Sequence, residues 1–143
     1  MMEQNKLRVS TDWQEFDWQL MHEVLSNTYW AKNIPFAVMQ KAVQHSLSFA
    51  LFYETQQVGF ARVITDQATF AYLADVFIVE SMQGQGLAQF LLNEIVRHPQ
   101  LQGLRRFLLA TKDAHSLYSK FEFKPLQAPE VFMEINVANI YER

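Results

Sequence analysis

The chain has 143 residues, of which 50% are hydrophobic and 14% aromatic, so it can bury one core and is too apolar for a disordered segment. Its formal net charge of −3, with acidic and basic residues mixed along the chain, argues against a nucleic-acid-binding face, which needs clustered Lys and Arg. Since cysteine is absent, disulfides, thiolate catalysis and Cys-based metal sites are excluded.

The N-terminal third predicts one short strand and two helices. Residues 7–10 can form the strand, and Asp12 follows it with the side chain of a helix cap. Apolar residues at helical spacing predict an amphipathic helix over residues 17–26. A second helix is expected from Pro35 to His45, because proline fits the first turn of a helix.

Tyr29 and Trp30 lie in the break between these two helices and have two interpretations. They can pack in the joint between the helices, which is the commoner arrangement for such aromatic residues. Alternatively they line an acceptor pocket, because this loop sits where the open end of a sheet could be covered.

Three strands are predicted next, over residues 47–54, 58–65 and 70–79. The short polar connector of residues 55–57 indicates that the first two strands form an antiparallel hairpin. Strict alternation along the third strand would place on one face Ala71, Leu73, Asp75 and Phe77.

Arg62 and Asp75 are charges inside otherwise apolar strands, where a charge is seldom buried without a partner. They can form an ion pair or occupy exposed edge positions. The other hypothesis is that Asp75 faces a cleft, where its carboxylate can attract or deprotonate an amine.

Residues 75–93 hold the segment around which we expect the fold to be organised. A buried strand leads into a turn with Gly84 and Gly86, and an apolar helix follows. The start of a helix offers unpaired N–H groups and the positive end of the helix dipole. Because glycine lets an anion approach the main chain without meeting a Cβ atom, this order of elements predicts a phosphate-binding loop.

Residues 105–111 predict a strand parallel to the one before the glycine turn, because strand, helix and strand of this length form a β-α-β unit. A helix is expected over residues 114–121, and residues 123–126 and 131–135 are predicted to form a last strand pair. The whole chain, residues 1–143, is therefore predicted to be one mixed α/β domain. Its twisted central sheet would be mostly antiparallel, with the parallel unit carrying the glycine turn.

Other motifs fit the same residues poorly. A dinucleotide-binding fingerprint needs a third glycine where Gln89 stands, and the Gly-Lys-Ser/Thr of a P-loop is absent. The four histidines show no metal-ligand spacing, so no metal is expected. Ser81 has no Gly-x-Ser-x-Gly elbow around it. The glycine turn therefore fits neither of these two phosphate-binding motifs.

Two segments resemble a known family. Residues 83–88, Gln-Gly-Gln-Gly-Leu-Ala, are similar to the acyl-CoA pyrophosphate loop of the GNAT family of N-acetyltransferases, whose pattern is Arg/Gln-x-x-Gly-x-Gly/Ala. The second segment, Ala114-x-x-x-Tyr118-x-Lys120-Phe121-x-Phe123, resembles the helix that follows the family's fifth strand. Together the matches lie between residues 75 and 125, whereas the N-terminal third matches only in its helical character.

This resemblance implies direct transfer of an acetyl group from acetyl-CoA to an amine in a ternary complex. Tyr118 would bind the cofactor and protonate the departing thiolate, and the candidate base is Asp75, with a water chain as the alternative. The backbone of Phe77, Ile78 and Val79 would pair with the pantetheine arm. The remaining implied cofactor contacts are Gln83, Gly84, Gln85, Gly86, Leu87, Ala88, Gln89 and Thr111. Acceptor contacts are expected at Tyr29, Trp30 and Arg62.

The chain departs from the family pattern at several positions. Gln83 replaces the commoner Arg and removes one charge from the pyrophosphate site. Thr111 stands where many relatives have Asn, and Glu122 stands where they usually have Gly. The fifth strand offers Arg105 and Arg106 in place of a carboxylate that some relatives use as base, which leaves the base open.

Two alternatives to an enzyme remain: a catalytically silent acyl-CoA-binding or sensing domain, and a partner-binding protein that uses the aromatic N-terminal helices. The expected partner is a small-molecule or peptide amine, a homodimer stays open, and no nucleic acid or membrane is expected. The polar N-terminus and the lack of a bilayer-length apolar run predict a soluble cytoplasmic protein.

Overall fold

The computed structural model describes residues 3–142, which form one five-stranded sheet and four α-helices. The strands are β1 (Leu7–Ser10), β2 (Leu47–Tyr53), β3 (Gln56–Thr65), β4 (Phe70–Ile78) and β5 (Arg106–Leu109). The helices are α1 (Trp18–Leu25), α2 (Phe36–Gln44), α3 (Leu87–Val96) and α4 (His115–Ser119). The strands lie in chain order, antiparallel except for the parallel pair β4 and β5, so the predicted fold class is confirmed. None of the helices in this part of the chain is long and apolar enough to cross a membrane.

Both faces of the sheet are covered, as the alternation along β2 demonstrates. Phe49 and Leu51 belong to a buried cluster that includes the apolar side of α3, whereas Ala50 and Phe52 belong to a second cluster with residues of α1 and α2. Since successive side chains of a strand point to opposite faces, a strand covered on both sides needs this unbroken apolar run. The packing of α3 fixes its N-terminus close to the end of β4.

The N-terminal elements lie where the sequence predicts them, with small shifts at their ends. Asp17 is the N-cap of α1, and its Oδ1 accepts a hydrogen bond from the Leu20 N–H at 3.1 Å. Pro35 precedes α2 instead of lying in its first turn. The connector predicted over residues 55–57 is wrong in position, because Gln56 already belongs to β3 and the turn includes Glu54, whose φ is +56°.

The strict alternation predicted for β4 is wrong, because a β-bulge interrupts the strand. The register changes from Phe77 opposite Phe60 to Ala74 opposite Arg62, so β4 uses one more residue than β3 over this stretch. Asp75 takes a φ of +58° at the bulge. As a result Ala71 and Leu73 pack in the cluster on the α3 side, whereas Phe77 packs in the cluster on the α1–α2 side.

The strand pair predicted over residues 123–126 and 131–135 is also wrong, since neither segment forms a strand in the described chain. Pro129–Val131 forms one 3-10 turn, and β5 is the last strand of the sheet. A strand requires a partner for its N–H and C=O groups, and these segments have no partner within the described residues. Met133 and Ile135 are 96% and 99% exposed.

The elements that carry the second half of the site are shorter than predicted. β5 covers four residues inside the predicted range 105–111, and α4 covers five inside the predicted range 114–121. The order of strand, turn and helix is nevertheless the predicted one.

Candidate active site

The turn between β4 and α3 is built from a 3-10 turn over Glu80–Met82 and the glycine-bearing residues after it. Gly84 and Gly86 have φ angles of +79° and +80°, a region of backbone conformation that residues with a Cβ rarely adopt. The Gln83 side chain ties the turn to the strand, because its Nε2 donates a hydrogen bond to the Ile78 carbonyl at 2.9 Å. The sequence pattern therefore identifies two glycines that the backbone requires.

The head of α3 presents a run of free N–H groups. Phe90 is the first residue of the helix whose N–H finds a backbone acceptor, the Gly86 carbonyl at 3.1 Å. In the described part of the chain the N–H groups of residues 84–89 have no such acceptor. A Cβ atom built on Gly84 or Gly86 would meet nothing within 4 Å, so the space in front of these groups is open. Open N–H groups at a helix N-terminus suit an anion such as a pyrophosphate.

A gap opens between β4 and β5 beside this turn. The two strands pair only from Phe70 opposite Arg106 to Leu73 opposite Leu109, and β4 then continues to Ile78 alone on that side. The Val79 N–H is directed to β3, where it donates to the Val58 carbonyl at 2.8 Å. Because N–H groups alternate in direction along a strand, the Ile78 N–H faces the gap. Of the three residues expected to pair with a pantetheine arm, Ile78 is thus the one whose N–H is directed there.

Tyr118 lies on α4 and is largely buried. It belongs to the same buried cluster as Leu87, the first residue of α3, and its ring packs edge-on against Phe123 at 6.0 Å between centroids. Burial raises the pKa of the Tyr118 hydroxyl above its ordinary value, and the nearby negative charge of Asp113 raises it further. The phenol is therefore protonated throughout the neutral pH range.

Thr111 occupies the turn that begins α4. Its Oγ1 accepts a hydrogen bond from the Ala114 N–H at 3.1 Å, which fixes the start of the helix that carries Tyr118. Thr111, which the sequence predicts as a cofactor contact, therefore also holds the turn before α4 in place.

Arg62 and Asp75 form an ion pair, which is one of the arrangements that their positions in the sequence predict. The Arg62 Nε donates to Asp75 Oδ2 at 2.7 Å, and the two side chains are only 17% and 13% exposed. The second carboxylate oxygen, Oδ1, accepts a hydrogen bond from Trp30 Nε1 at 2.8 Å. Arg62 also donates to the Ser46 Oγ at 3.2 Å. Asp75 is therefore a partly buried carboxylate held from two sides.

Tyr29 and Trp30 do not pack in the joint between α1 and α2. They are 62% and 46% exposed, and their rings contact each other edge-on at 5.0 Å between centroids. Trp30 reaches the bulge of β4 through Asp75, and the Tyr29 ring lies 4.0 Å from Lys112 Nζ on the segment after β5. The loop between α1 and α2 therefore borders the same end of the sheet as the gap.

Lys112 and Ser46 are the two residues of this neighbourhood that the sequence did not indicate. Lys112 contacts a ring 83 positions earlier in the chain, and Ser46 contacts the guanidinium of Arg62. Neither residue lies in a motif, so no pattern in the sequence could have identified them.

A cavity of about 850 Å³ lies on the other side of β5. It is lined by Thr111 and Tyr118 among the expected site residues, but by no residue of the range 75–89. The cavity is therefore separate from the phosphate-binding turn. Tyr118 lines the cavity and also belongs to the buried cluster that contains Leu87, the first residue of α3.

Solved structures of other proteins share this architecture. A candidate acetyltransferase of the GNAT family from Xanthomonas campestris pv. campestris is 47% identical, and the match covers 100% of both chains with a TM-score of 0.95. Residues 126–142 make up 17 of the 143 residues, so a score this high requires that the exposed C-terminal segment superposes as well.

Two further relatives extend the comparison. A curated candidate acetyltransferase from Gibberella zeae is 32% identical over 135 residues, which cover 78% of this chain and 75% of the relative. A candidate acetyltransferase from Clostridium acetobutylicum, solved with acetyl-CoA, is 15% identical and covers 95% of this chain and 96% of its own, with a TM-score of 0.63. At that identity the last comparison shows the fold alone.

The model of the Acetyltransferase (GNAT) family matches residues 10–123, well over half of the chain. The match runs from the end of β1 past α4 and includes the glycine turn and Tyr118. The family uses acetyl-CoA, and the open N–H groups at the head of α3 suit the phosphates of that molecule. The chain therefore belongs to the GNAT family of acetyltransferases.

Proposed function

We propose that this chain is an N-acetyltransferase that transfers the acetyl group of acetyl-CoA directly to an amine in a ternary complex. The observation that carries the proposal is the free N–H run of residues 84–89 beside the unpaired edge of β4. The N–H run suits a pyrophosphate, and the strand edge suits an extended arm that bears amides. A single molecule that carries both groups in sequence is an acyl-CoA.

The proposed reaction assigns one proton transfer to Tyr118. The neutral amine nitrogen attacks the thioester carbon, a C–N bond forms, the C–S bond breaks, and the nitrogen releases its surplus proton to water. Tyr118 gives its hydroxyl proton to the departing thiolate and regains a proton from water. Because burial raises its pKa, the phenol holds this proton until it is needed at neutral pH.

On the acceptor side, Tyr29 and Trp30 would wall the amine, with Arg62 and Asp75 behind them. An ammonium with a pKa near about 10 has no free lone pair, so it must lose a proton before it attacks. Each oxygen of Asp75 accepts one hydrogen bond, from Trp30 and from Arg62, and a carboxylate oxygen can accept two. Asp75 can therefore attract the ammonium, and the proton leaves through Asp75 or through water.

The test is CoA release with a panel of small amines, amino acids, polyamines and peptides, with the acetylated product identified by mass. Tyr118→Phe removes one hydroxyl and keeps the ring packing. We expect kcat to fall by about two to four orders of magnitude while the affinity for CoA stays within a few-fold. Tyr53→Phe at the end of β2 makes the same chemical change away from the site and should leave kcat unchanged.

One observation favours a second candidate, a silent acyl-CoA-binding domain. The sequence singles out one carboxylate near the gap, that of Asp75. Each of its two oxygens already accepts a hydrogen bond, one from Trp30 and one from Arg62. A folded protein that binds CoA and acetylates no amine of the panel would support this candidate. A folded protein that does not bind CoA would refute both.

A further inference from the structure

The loop between α1 and α2 is attached to both sides of the gap between β4 and β5. Trp30 Nε1 donates a hydrogen bond at 2.8 Å to Asp75 Oδ1, at the bulge of β4. The ring of the preceding residue, Tyr29, lies 4.0 Å from Nζ of Lys112, on the segment that follows β5. The two rings contact each other edge-on at 5.0 Å between centroids. The loop therefore joins a carboxylate on one side of the gap to an ammonium group on the other side.

The ammonium group of Lys112 has no carboxylate partner within the part of the chain that the structure describes. Lys112 takes part in none of the ion pairs there, whereas the charge of Asp75 is balanced by that of Arg62 at 2.7 Å. The neighbouring acid, Asp113, acts on the hydroxyl of Tyr118 and raises the pKa of that group. The face of the Tyr29 ring attracts the ammonium group but occupies few of its three N–H donors. Lys112 can therefore donate hydrogen bonds to a bound anion.

These charges distinguish between classes of amine. Arg62, Asp75 and Lys112 together carry one net positive charge. A polyamine brings a second cation to this neighbourhood, and like charges repel each other. An uncharged alkylamine gains nothing from Lys112. A molecule with an amine at one end and a carboxylate at the other matches a negative group on one side of the gap and a positive group on the other side.

We propose that the acceptor is a small zwitterion of the amino acid class, with its amine at Asp75 and its carboxylate at Lys112 Nζ. The Tyr29 and Trp30 rings, which lie between the two charges, then contact the carbon atoms of the spacer. Lys112, which belongs to no motif, becomes a residue that determines acceptor specificity. This inference rests on the proposed acetyl transfer and names the substrate class of the same site. The expected product is an N-acetylated amino acid that keeps its carboxylate.

The first experiment measures the binding of acceptor analogues by titration calorimetry in the presence of CoA, which carries no acetyl group and permits no reaction. The probes are γ-aminobutyrate, its amide and the diamine putrescine. Because only the first carries a carboxylate, the wild-type protein should bind it about 5-fold or more tightly than the other two. Glycine, β-alanine and ε-aminocaproate vary the spacer, and the affinity should depend on its length. Equal affinity for γ-aminobutyrate and its amide, equal affinity across the spacer series, or no binding of any probe overturns the proposal.

The second experiment repeats the comparison of γ-aminobutyrate and its amide in variants of Lys112. Lys112→Met keeps an unbranched side chain that can pack on the Tyr29 ring and removes the charge. The preference for the carboxylate should then fall to about 1-fold, because neither ligand has a cation to bind. Lys112→Arg keeps the charge and the contact with a ring, so it should keep the preference within a few-fold. A preference that survives Lys112→Met would place the carboxylate elsewhere, as at Arg62, and overturn the proposal.

Lys6→Met is the matched control for the loss of a positive charge. Lys6 precedes β1, at the opposite edge of the sheet from β5, and its ion pairs with Glu3 and Glu54 are exposed. This variant has the same net charge as Lys112→Met and should keep the wild-type preference. A loss of preference in both variants would assign the effect to net charge and overturn the proposal.

The binding experiments can fail separately from the proposed activity. Acetylation of alkylamines as fast as of amino acids would support the transferase and overturn the zwitterionic acceptor. Binding of γ-aminobutyrate that depends on Lys112, without acetylation of any amine, would support the acceptor site and overturn the proposed transfer.

Discussion

Gly86 offers the sharpest test of where the phosphates bind. Its φ of +80° and the empty space around a built Cβ mean that a side chain here strains the backbone but meets no protein atom. We expect Gly86→Ala to lower the free energy of unfolding by about 1 kcal/mol or slightly more. Asn and Asp tolerate this conformation better than most residues, so the corresponding variants should fold. Any larger effect on CoA affinity must then come from the space in front of the turn.

The pair Gly86→Asn and Gly86→Asp separates charge from volume. The two side chains have nearly the same shape, so both occupy the same part of the proposed phosphate site. Only Asp adds a negative charge. Two unit charges about 4 Å apart interact by about 1 kcal/mol in bulk water and by about 4 kcal/mol near a protein surface. Gly86→Asp should therefore bind CoA roughly 5-fold to 1,000-fold more weakly than Gly86→Asn.

Titration calorimetry with CoA at low and at high salt measures these affinities. The difference between the two variants should shrink as salt rises, because ions screen exposed charges. Gly103→Asp is the control, since Gly103 also has a positive φ, +73°, with open space around its Cβ, but it lies in the loop before β5. Equal affinity of the Asn and Asp variants, or an unchanged affinity in a folded Gly86→Asp protein, would refute the placement of the phosphates.

Three further predictions follow from single residues. Glu122 has a φ of +72°, so Glu122→Gly should raise the free energy of unfolding by about 0.5 to 1 kcal/mol in thermal melts, whereas Glu122→Ala should not. Hydrogen bonds from the Thr69 hydroxyl and N–H, and from neighbouring backbone N–H groups, lower the pKa of Asp66, so its stabilisation is present above the ordinary Asp pKa and is lost as the pH falls. Asp66→Asn should therefore flatten the acid limb of a stability–pH profile; an unchanged limb would contradict this. If Asp75 is the base, Asp75→Asn should lower kcat most at low pH, where the amine is protonated. If Asp75 acts only as the partner of Arg62, the variant should lose thermal stability with no such pH signature.

The phosphate-binding turn could be predicted because its chemistry is local. The buried strand, Gly84, Gly86 and the apolar side of α3 lie within about twenty consecutive positions, and each has a short-range physical reason. Glycine is the residue that adopts a positive φ angle most easily, and both glycines of the pattern have a positive φ in the structure. The helices α1 and α2 were predictable for the same reason, since period and caps are properties of a short segment.

The C-terminal strands could not be predicted correctly, because a strand pattern specifies the segment and not its partner. The alternation of apolar residues from Val131 to Val137 is real, yet the described chain supplies no strand beside it. Contacts between distant segments are equally invisible in the sequence. The approach of Lys112 to the Tyr29 ring depends on how β5 and the loop after α1 meet in space.

The bulge at Asp75 explains why strict alternation placed Asp75 and Phe77 on the wrong face of β4 and still identified residues of the site. One extra residue in β4 transfers Phe77 to the α1–α2 side of the sheet and turns Asp75 toward Trp30 and Arg62. Aspartate is also among the few residues with a Cβ that adopt a positive φ without large strain. The backbone and the ion pair both favour aspartate at this position, so its presence does not by itself indicate a catalytic base. What distinguishes a base from a structural carboxylate is the effect of its charge on the pH dependence of kcat, since Asn retains the local backbone preference and loses only the charge.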